Sequence, residues 1–335
     1  MSESDVTRDG VQGARPGREA PTGARAGRRR GRRGRGERPM VPEAEFSSYY
    51  GKPVLNKPTW RAPDIAGYLY LGGLAGASSL LAAGGQVTGR PGLAAPAKLG
   101  AAGAISLSLA ALVHDLGRPG RFLNMLRVFK PTSPMSVGSW LLAGYAPLTL
   151  AAAATEVAGR YRLLGSAATA AAAVLGPAVA TYTAVLLSDT AVPSWHEGYR
   201  ELPFVFAGSA ATAASGLALA AAPTAQAGPA RRLAVLGAAL ELSAFQAMRR
   251  RMGLAAEPFE HGRPHLLVRA AEVLTAGGAA LALFGGRDRR LALAAGAALL
   301  TGSAALRFGV FHAGVVSAED PKYTVVPQRE RLLRG

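Results

Sequence analysis

IAGYLYLGGLAGASSLLAAGGQVTG, from Ile65 to Gly89, decides the architecture of this chain. It holds no Asp, Glu, Lys or Arg, and it exceeds the roughly 20 helical residues that cross a hydrocarbon core. Leu163 to Leu187 and Leu202 to Ala230 are charge-free in the same way. Of the 335 residues nearly half are apolar, and only 18% are charged, against about a quarter in a soluble domain. These runs imply a polytopic, all-α integral membrane protein, because lipid leaves only helices or closed barrels able to satisfy their own backbone. Segments of this length are too long for barrel strands.

Eight such segments are read along the chain: Asp64 to Val87, Ala94 to His114, Val137 to Thr155, Leu163 to Leu187, Leu202 to Ala222, Arg231 to Met252, Leu266 to Gly286 and Arg290 to Ala313. The second is short in its charge-free part, and the eighth carries Arg307. Alanine and glycine replace leucine in many of them, which predicts closely packed helices, since small residues let backbones approach in a membrane. The expected fold is an eight-transmembrane-helix bundle over 63–315. A disordered Arg/Gly-rich tail (1–44) and an interfacial lead-in (45–62) precede it, and a C-terminal tail (316–335) follows.

The formal charge of +17 has to be located before it is interpreted. Much of it lies in the tail, where RRRGRRGRGERP runs from Arg28 to Pro39. So polar a stretch cannot bury enough apolar surface to fold. A solvated tail beside anionic lipid headgroups accounts for it without a nucleic-acid partner. Lys and Arg in the loops divide equally between the two faces. Lys52, Lys57, Arg61, Lys322, Arg329 and Arg331 break the tie, and the positive-inside rule then places both termini in the cytoplasm. With no cysteine, the chain excludes disulfides, iron–sulfur ligation and c-type haem attachment of its own. No pair of His lies mid-membrane to hold b-haem, and no metal site is expected.

Potential chemistry gathers on the face that carries the termini. His114, His196, His261, His265 and His312 belong to it, as do Trp60, Trp140 and Trp195. Aromatic belts should decorate both interfaces equally, so the asymmetry points to a ligand or partner on this face. YLYLGGLAGASSLLA (Tyr68 to Ala82), HDLGRPGRFLNMLR (His114 to Arg127), SPMSVGSW (Ser133 to Trp140) and LLSDTAVPSW (Leu186 to Trp195) together resemble the NrfD/PsrC family, the membrane subunits of polysulfide-reductase-like complexes. The likeness extends over about residues 60–315, with the loop motif after the second segment as its most specific part.

The resemblance implies a membrane anchor and quinone-reactive subunit of an oxidoreductase complex. Such a subunit holds menaquinone or ubiquinone non-covalently, with no haem or iron–sulfur cluster of its own. Its implied partners are a ferredoxin-like iron–sulfur subunit and a molybdopterin-type catalytic subunit. A solute or proton transporter is the other class open to such a chain, although its two halves show no internal repeat of the kind transporters often carry.

Quinone chemistry needs hydrogen-bond donors at the ring oxygens and proton carriers to water. His114 and Asp115 offer a His–carboxylate pair, with a helix C-terminus as the plain structural alternative. Tyr182 lies about 8 Å inside the interface at 1.5 Å per residue. The family places a Tyr that contacts quinone in a similar Tyr-Thr setting, with Ala184 here where a Gly is expected. Tyr68 and Asp64 begin the first helix on the same face, and Trp195, His196 and Glu201 close the pocket from the fourth loop. Arg118, Arg121 and Arg127 suit contacts with headgroups or a partner's acidic face. Glu241, Glu272 and Arg307 are the ionisable groups furthest inside the membrane, so they are candidates for proton relay. Glu272 and Arg307 could pair with each other, with Arg269 as a second partner one turn from Glu272, which leaves Glu241 without an evident partner.

Overall fold

The computed structural model describes residues 54–334 other than Arg118, Pro119 and Arg287, together with two short strands. Those strands, β1 (Asp5–Thr7) and β2 (Gly10–Gln12), pair antiparallel with Val6 opposite Val11. Otherwise the tail read over 1–44 falls outside the described residues. Pro58–Ser317 forms one compact unit, and the residues up to Lys57 and from Ala318 form a second.

Eight long helices follow: α1 (Ala62–Val87), α2 (Pro91–Asp115), α4 (Pro134–Ala158), α5 (Arg162–Ser188), α7 (Leu202–Ala221), α8 (Gly228–Met252), α9 (Gly262–Phe284) and α10 (Arg289–Glu319). The single-turn helices α3 (Arg121–Asn124) and α6 (Pro193–His196) interrupt two loops, a 3₁₀ segment occupies Gly253–Phe259, and α11 (Lys322–Arg334) closes the chain. Starts carry proline where the missing N–H costs nothing, as at Pro63, Pro91, Pro134 and Pro203. Gly159 ends α4 in the left-handed conformation at φ 63°, a position that glycine adopts without a Cβ penalty.

Seven of the eight are long and apolar enough to cross a membrane; α8 is the exception. Arg231, Arg232, Glu241 and the Arg249–Arg251 run lower its hydropathy, yet it packs against α7 and α9 like its neighbours. The chain is therefore a multi-pass membrane protein with seven apolar spans and an eighth, more polar long helix among them.

The helices close into two rings of four. In the first, α1 packs on α2, α2 on α4, α4 on α5, and α5 back on α1. In the second, α7 packs on α8 and α8 on α9. Gly302 of α10 then meets Thr275 of α9, and Gly216 of α7 meets Gly296 of α10. Contacts of α1 and α5 with α7 join the rings. Glycine makes the tightest crossings possible: a Cβ on Gly216 would lie 2.8 Å from the Gly296 carbonyl oxygen, and one on Gly76 would overlap that of Gly176. Without a hydrophobic force between helices in lipid, such close packing is what holds them. Correspondingly, Leu107, Val174, Leu236, Val273 and Leu283 point outward, onto the surface that lipid covers, while Ala, Gly, Ser and Thr fill the interior.

At the end of the rings remote from His114, cations serve as helix caps. Arg289 donates to the carbonyls of Leu219 (3.1 Å) and Ala222 (3.0 Å), and Arg231 donates to those of Thr224 and Gly286. These are carbonyls that a helix end leaves without intrahelical donors, or their neighbours in the following turn.

Candidate functional site

The opposite end of the first ring gathers the starts of α1 and α4 and the ends of α2 and α5. Asp64, in the first turn of α1, lies with its Oδ2 3.0 Å from His114 Nδ1 at the end of α2. The carboxylate beside His114 is thus Asp64 and not the adjacent Asp115, because successive helix positions diverge by about 100° and do not face one another. Asp64 is largely covered, while the His114 side chain is 65% exposed. A neutral His114 donating from Nδ1 leaves Nε2 free towards the rim.

The loop between α2 and α4 is tied down residue by residue. Ser133 caps α4 by accepting from the Ser136 N–H at 3.4 Å, and Pro134 takes the first helical position. Ser136 Oγ donates to the Val128 carbonyl at 3.0 Å and accepts from the Lys130 N–H at 3.0 Å. Trp140 donates its indole N–H to the same Val128 carbonyl, with Phe129 edge-on to its ring at 6.3 Å. Gly138 has a different task. A Cβ there would overlap the Tyr182 ring, coming within 2.8 Å of Cδ2, so glycine makes the seat for that ring. Each named position of SPMSVGSW therefore has a mechanical reason. Ser136 and Gly138 are the members that sequence reasoning had not singled out, and their place in the motif was the available signal.

Tyr182 of α5 rests on that seat, and its hydroxyl is buried without a hydrogen-bond partner. A buried phenol usually finds one, so the group is poised for an acceptor the chain does not supply. Thr183 Oγ1 beside it is also unpartnered. Tyr68 of α1 is buried, and its carbonyl accepts from Ser108 of α2 at 3.1 Å. Arg121 and Arg127 lie exposed on the loop along with Val128 and Phe129; Arg118 lies outside the described residues.

Trp195 is built into the protein rather than presented at the interface. It is 1% exposed, donates to the Val310 carbonyl at 2.8 Å, stacks on Trp60 at 5.9 Å and packs on Phe311. Gly314 leaves the room its ring needs. His196, in the same turn, uses Nδ1 on the Ser188 carbonyl at 3.1 Å. Glu201 is engaged by Arg251, with Nε at 2.6 Å from Oε1 and a second nitrogen at 2.6 Å from Oε2. That two-pronged pairing holds its carboxyl below the usual carboxylate range.

The expected pairing of Glu272 with Arg307 does not form. Glu272, largely covered where α9 meets α8, pairs instead with Arg269 one turn away on its own helix (3.1 Å) and with Arg249 of α8 (3.5 Å). Arg307 points into the second ring, and Glu241 is partnered after all: Thr212 donates to its Oε2 at 3.2 Å and Thr275 to its Oε1 at 3.0 Å. Among the described residues no group of three or more His, Asp or Glu side chains gathers as a metal site would require.

The sequence model of the family described as polysulphide reductase, NrfD, matches residues 55–254. No curated protein matches the chain. The matched span includes all of the first ring, its Asp64–His114 pair, the tied loop and Tyr182.

Proposed function

The chain belongs to the NrfD family, membrane subunits of polysulfide-reductase-type complexes, and on that premise we propose that it exchanges electrons between the membrane quinone pool and an iron–sulfur partner subunit. The observation that carries the reading is the buried, unpartnered Tyr182 hydroxyl at the same end of the first ring as the Asp64–His114 pair.

These groups suit a quinone head. Its two carbonyl oxygens accept hydrogen bonds, and Tyr182 holds an O–H with nothing else to bind. When bound, the quinone supplies a couple of two electrons and two protons. His114 is the group that exchanges protons with water, since its ring is exposed at the rim and imidazole is the side chain most often used for general acid–base work. Asp64 orients that ring through its hydrogen bond to Nδ1. Asp115, half-buried beside it, is a further proton acceptor. Tyr68 and Trp195 are rigid walls, with Trp195 fixing the loop that precedes α7 against α10.

The partner surface is the loop after α2. Arg121, Arg127 and Lys130 stand beside exposed Val128 and Phe129, a cationic rim around an apolar centre of the kind protein interfaces use. An iron–sulfur subunit with an acidic face fits it, passing electrons on to a molybdopterin-type subunit. In this reading the face and both termini lie on the cytoplasmic side of the inner membrane, which the Lys and Arg of the two tails support.

The test is binding of a fluorescent quinol-analogue inhibitor to membranes holding the chain with its partners, in wild type, His114→Ala and Tyr182→Phe. Saturable binding at one site per chain, weakened by either change, supports the reading. A folded wild-type complex that binds none of the analogue refutes it.

A further inference from the structure

Ion pairs of the second ring are not confined to its interior. Glu272 lies near the middle of α9, about 15 Å from its start at 1.5 Å per residue. Arg269 donates to its Oε2 at 3.1 Å, and Gln246 of α8 donates to its Oε1 at 3.3 Å, with Arg249 of α8 at 3.5 Å. Arg249 also reaches Glu260 at 3.8 Å, and its Nε is buried without a hydrogen-bond partner. The Glu272 side chain is largely covered, but that of Arg269 is 62% exposed, and Gln246 is exposed too. The cluster therefore opens onto the outer surface of the protein, where α8 and α9 adjoin.

Ionisable groups within a membrane almost always face the bundle interior or a water-filled cavity, and Arg269 faces neither. A long cation on a lipid-facing surface ordinarily extends its head to the interface. Arg269 bonds instead to a carboxylate one turn deeper, so it turns away from the headgroups on the terminus-bearing face. Glu272 takes one of the five N–H groups a guanidinium carries. Donors remain on the exposed side, and acyl chains offer them no acceptor.

Helix α8 gives a second, independent observation. Of the eight long helices it is the one not apolar enough to cross a membrane by itself. Ala239, Ser243 and Ala247 are exposed on it at intervals of four, which puts them one above another on the same side. Ala276 and Ala280 repeat the spacing on the exposed side of α9. Small residues set this way let a second helix come close, and side-chain hydrogen bonds then act between the two in lipid.

We propose that this outer face of α8 and α9 docks a membrane-spanning helix of another subunit, which packs small residues along Ala239, Ser243 and Ala247 and brings an Asp or Glu to Arg269. Charge decides against a second copy of this chain. The one acid of α8, Glu241, is buried, while Arg232 and Arg250 at its two ends are exposed. A two-fold pairing sets the same patch against itself, so pairing through the α8 stripe would face each of these cations with its own image. A carboxylate from a different subunit meets the exposed donors instead. In the chain alone lipid covers this face, as it covers Leu236 and Val273 there, and the helix displaces that lipid on assembly. The site is separate from the loop surface after α2 and does not depend on quinone binding in the first ring.

Photo-cross-linking of the full chain in membranes of the cell that makes it tests the site, with benzoylphenylalanine at Ala247 and, as a lipid-facing control, at Val174 of α5. The expected product at Ala247 joins the chain to an apolar segment of a different protein that carries Asp or Glu, identified by mass spectrometry of the joined peptide. Val174 should give no such product. Arg269→Glu should lower the yield at least fivefold, Arg269→Lys should keep most of it, and changing the partner's acid to Arg should restore it in Arg269→Glu. Ser243→Leu fills the stripe without entering the interior and should lower the yield as far, which serves if Arg269→Glu does not fold. Quinol-analogue binding should stay at the wild-type level in all of these, so failure of the site and failure of the quinone reading are distinguishable. Adducts to lipid alone or to a second copy, no adduct at Ala247, a joined segment without an acid, or a yield that neither Arg269→Glu nor Ser243→Leu changes would each overturn the proposal.

Discussion

Gly138→Ala is the smallest change that separates the seat of Tyr182 from its hydroxyl. The added methyl would stand 2.8 Å from Cδ2 and 3.2 Å from Cζ of the Tyr182 ring and overlap Cε2. Carbon atoms settle at about 3.5–4.0 Å, so the ring or the start of α4 must move by roughly 1 Å. Overpacking of this kind costs about 1–3 kcal/mol, a loss a polytopic bundle survives. Misplacing a reacting or binding group by about 1 Å can lower activity on the order of 100-fold. The expected outcome is a folded protein whose affinity for a quinol analogue, and whose quinol-dependent turnover in the complex, fall much further than its thermal stability. Tyr182→Phe keeps the ring and removes one hydrogen bond, about 1 kcal/mol or roughly fivefold in affinity. The double variant should bind no worse than Gly138→Ala alone, because the displaced ring no longer presents its hydroxyl. Wild-type affinity in folded Gly138→Ala would refute the placement of Tyr182 in the site, and full additivity of the two changes would refute the proposed mechanism.

Other outcomes follow from the same geometry. Trp195→Ala removes a fully buried ring and its hydrogen bond to Val310, and should cost about 3–5 kcal/mol, read as a lowered unfolding temperature in detergent; an unchanged temperature would refute the structural role of this ring. Glu201 is held ionised by Arg251, so its carboxyl has a depressed pKa in the fold. Its contribution to stability is therefore present above the ordinary carboxyl pKa of about 4.5 and is lost as pH falls through the depressed value. Thermal unfolding measured from neutral pH downward should show less acid sensitivity in Glu201→Gln than in wild type. Reversing charge at both Arg121 and Arg127 should weaken retention of the partner subunits on the membrane, most visibly at low salt because exposed charges are screened, while quinol-analogue binding persists. Ser136→Ala frees the Val128–Lys130 turn and should raise the proteolytic sensitivity of that loop with little effect on unfolding temperature.

The loop cations show why counting residues left the orientation balanced. Arg231 and Arg289 at the remote end are occupied with the carbonyls that terminate α7 and the turns beside it. They are part of the helix ends, whereas Arg121 and Arg127 at the other end stay exposed. Sequence weighs these cations alike; only their hydrogen bonds separate a cap from a free surface charge.

Composition and charge-free length determined that the chain crosses the membrane as helices, because lipid leaves the backbone no other partner. The motif SPMSVGSW and its neighbours determined the family, since their spacing is local and survives in one dimension. Helix bounds were legible to within about four residues for the same reason, except that α10 runs on past the expected end at Ala313 to Glu319. Helix α8 fell short of the apolar spans because of its charges, and that Glu241 among them is accepted by hydroxyls of α7 and α9 is a tertiary property. Pairings between helices were beyond the sequence, whereas Arg269, one turn from Glu272 on the same helix, was legible as its partner. His114 found Asp64 on another helix instead of its own neighbour, Glu272 met Arg249 of α8, and Arg307 turned inward towards Glu241. A helix presents each side chain at a fixed angle, and which partner that angle meets is decided by how the rings close. Gly138, Gly216 and Gly296 read alike as small residues, and only the approach of another helix or ring gave each its task.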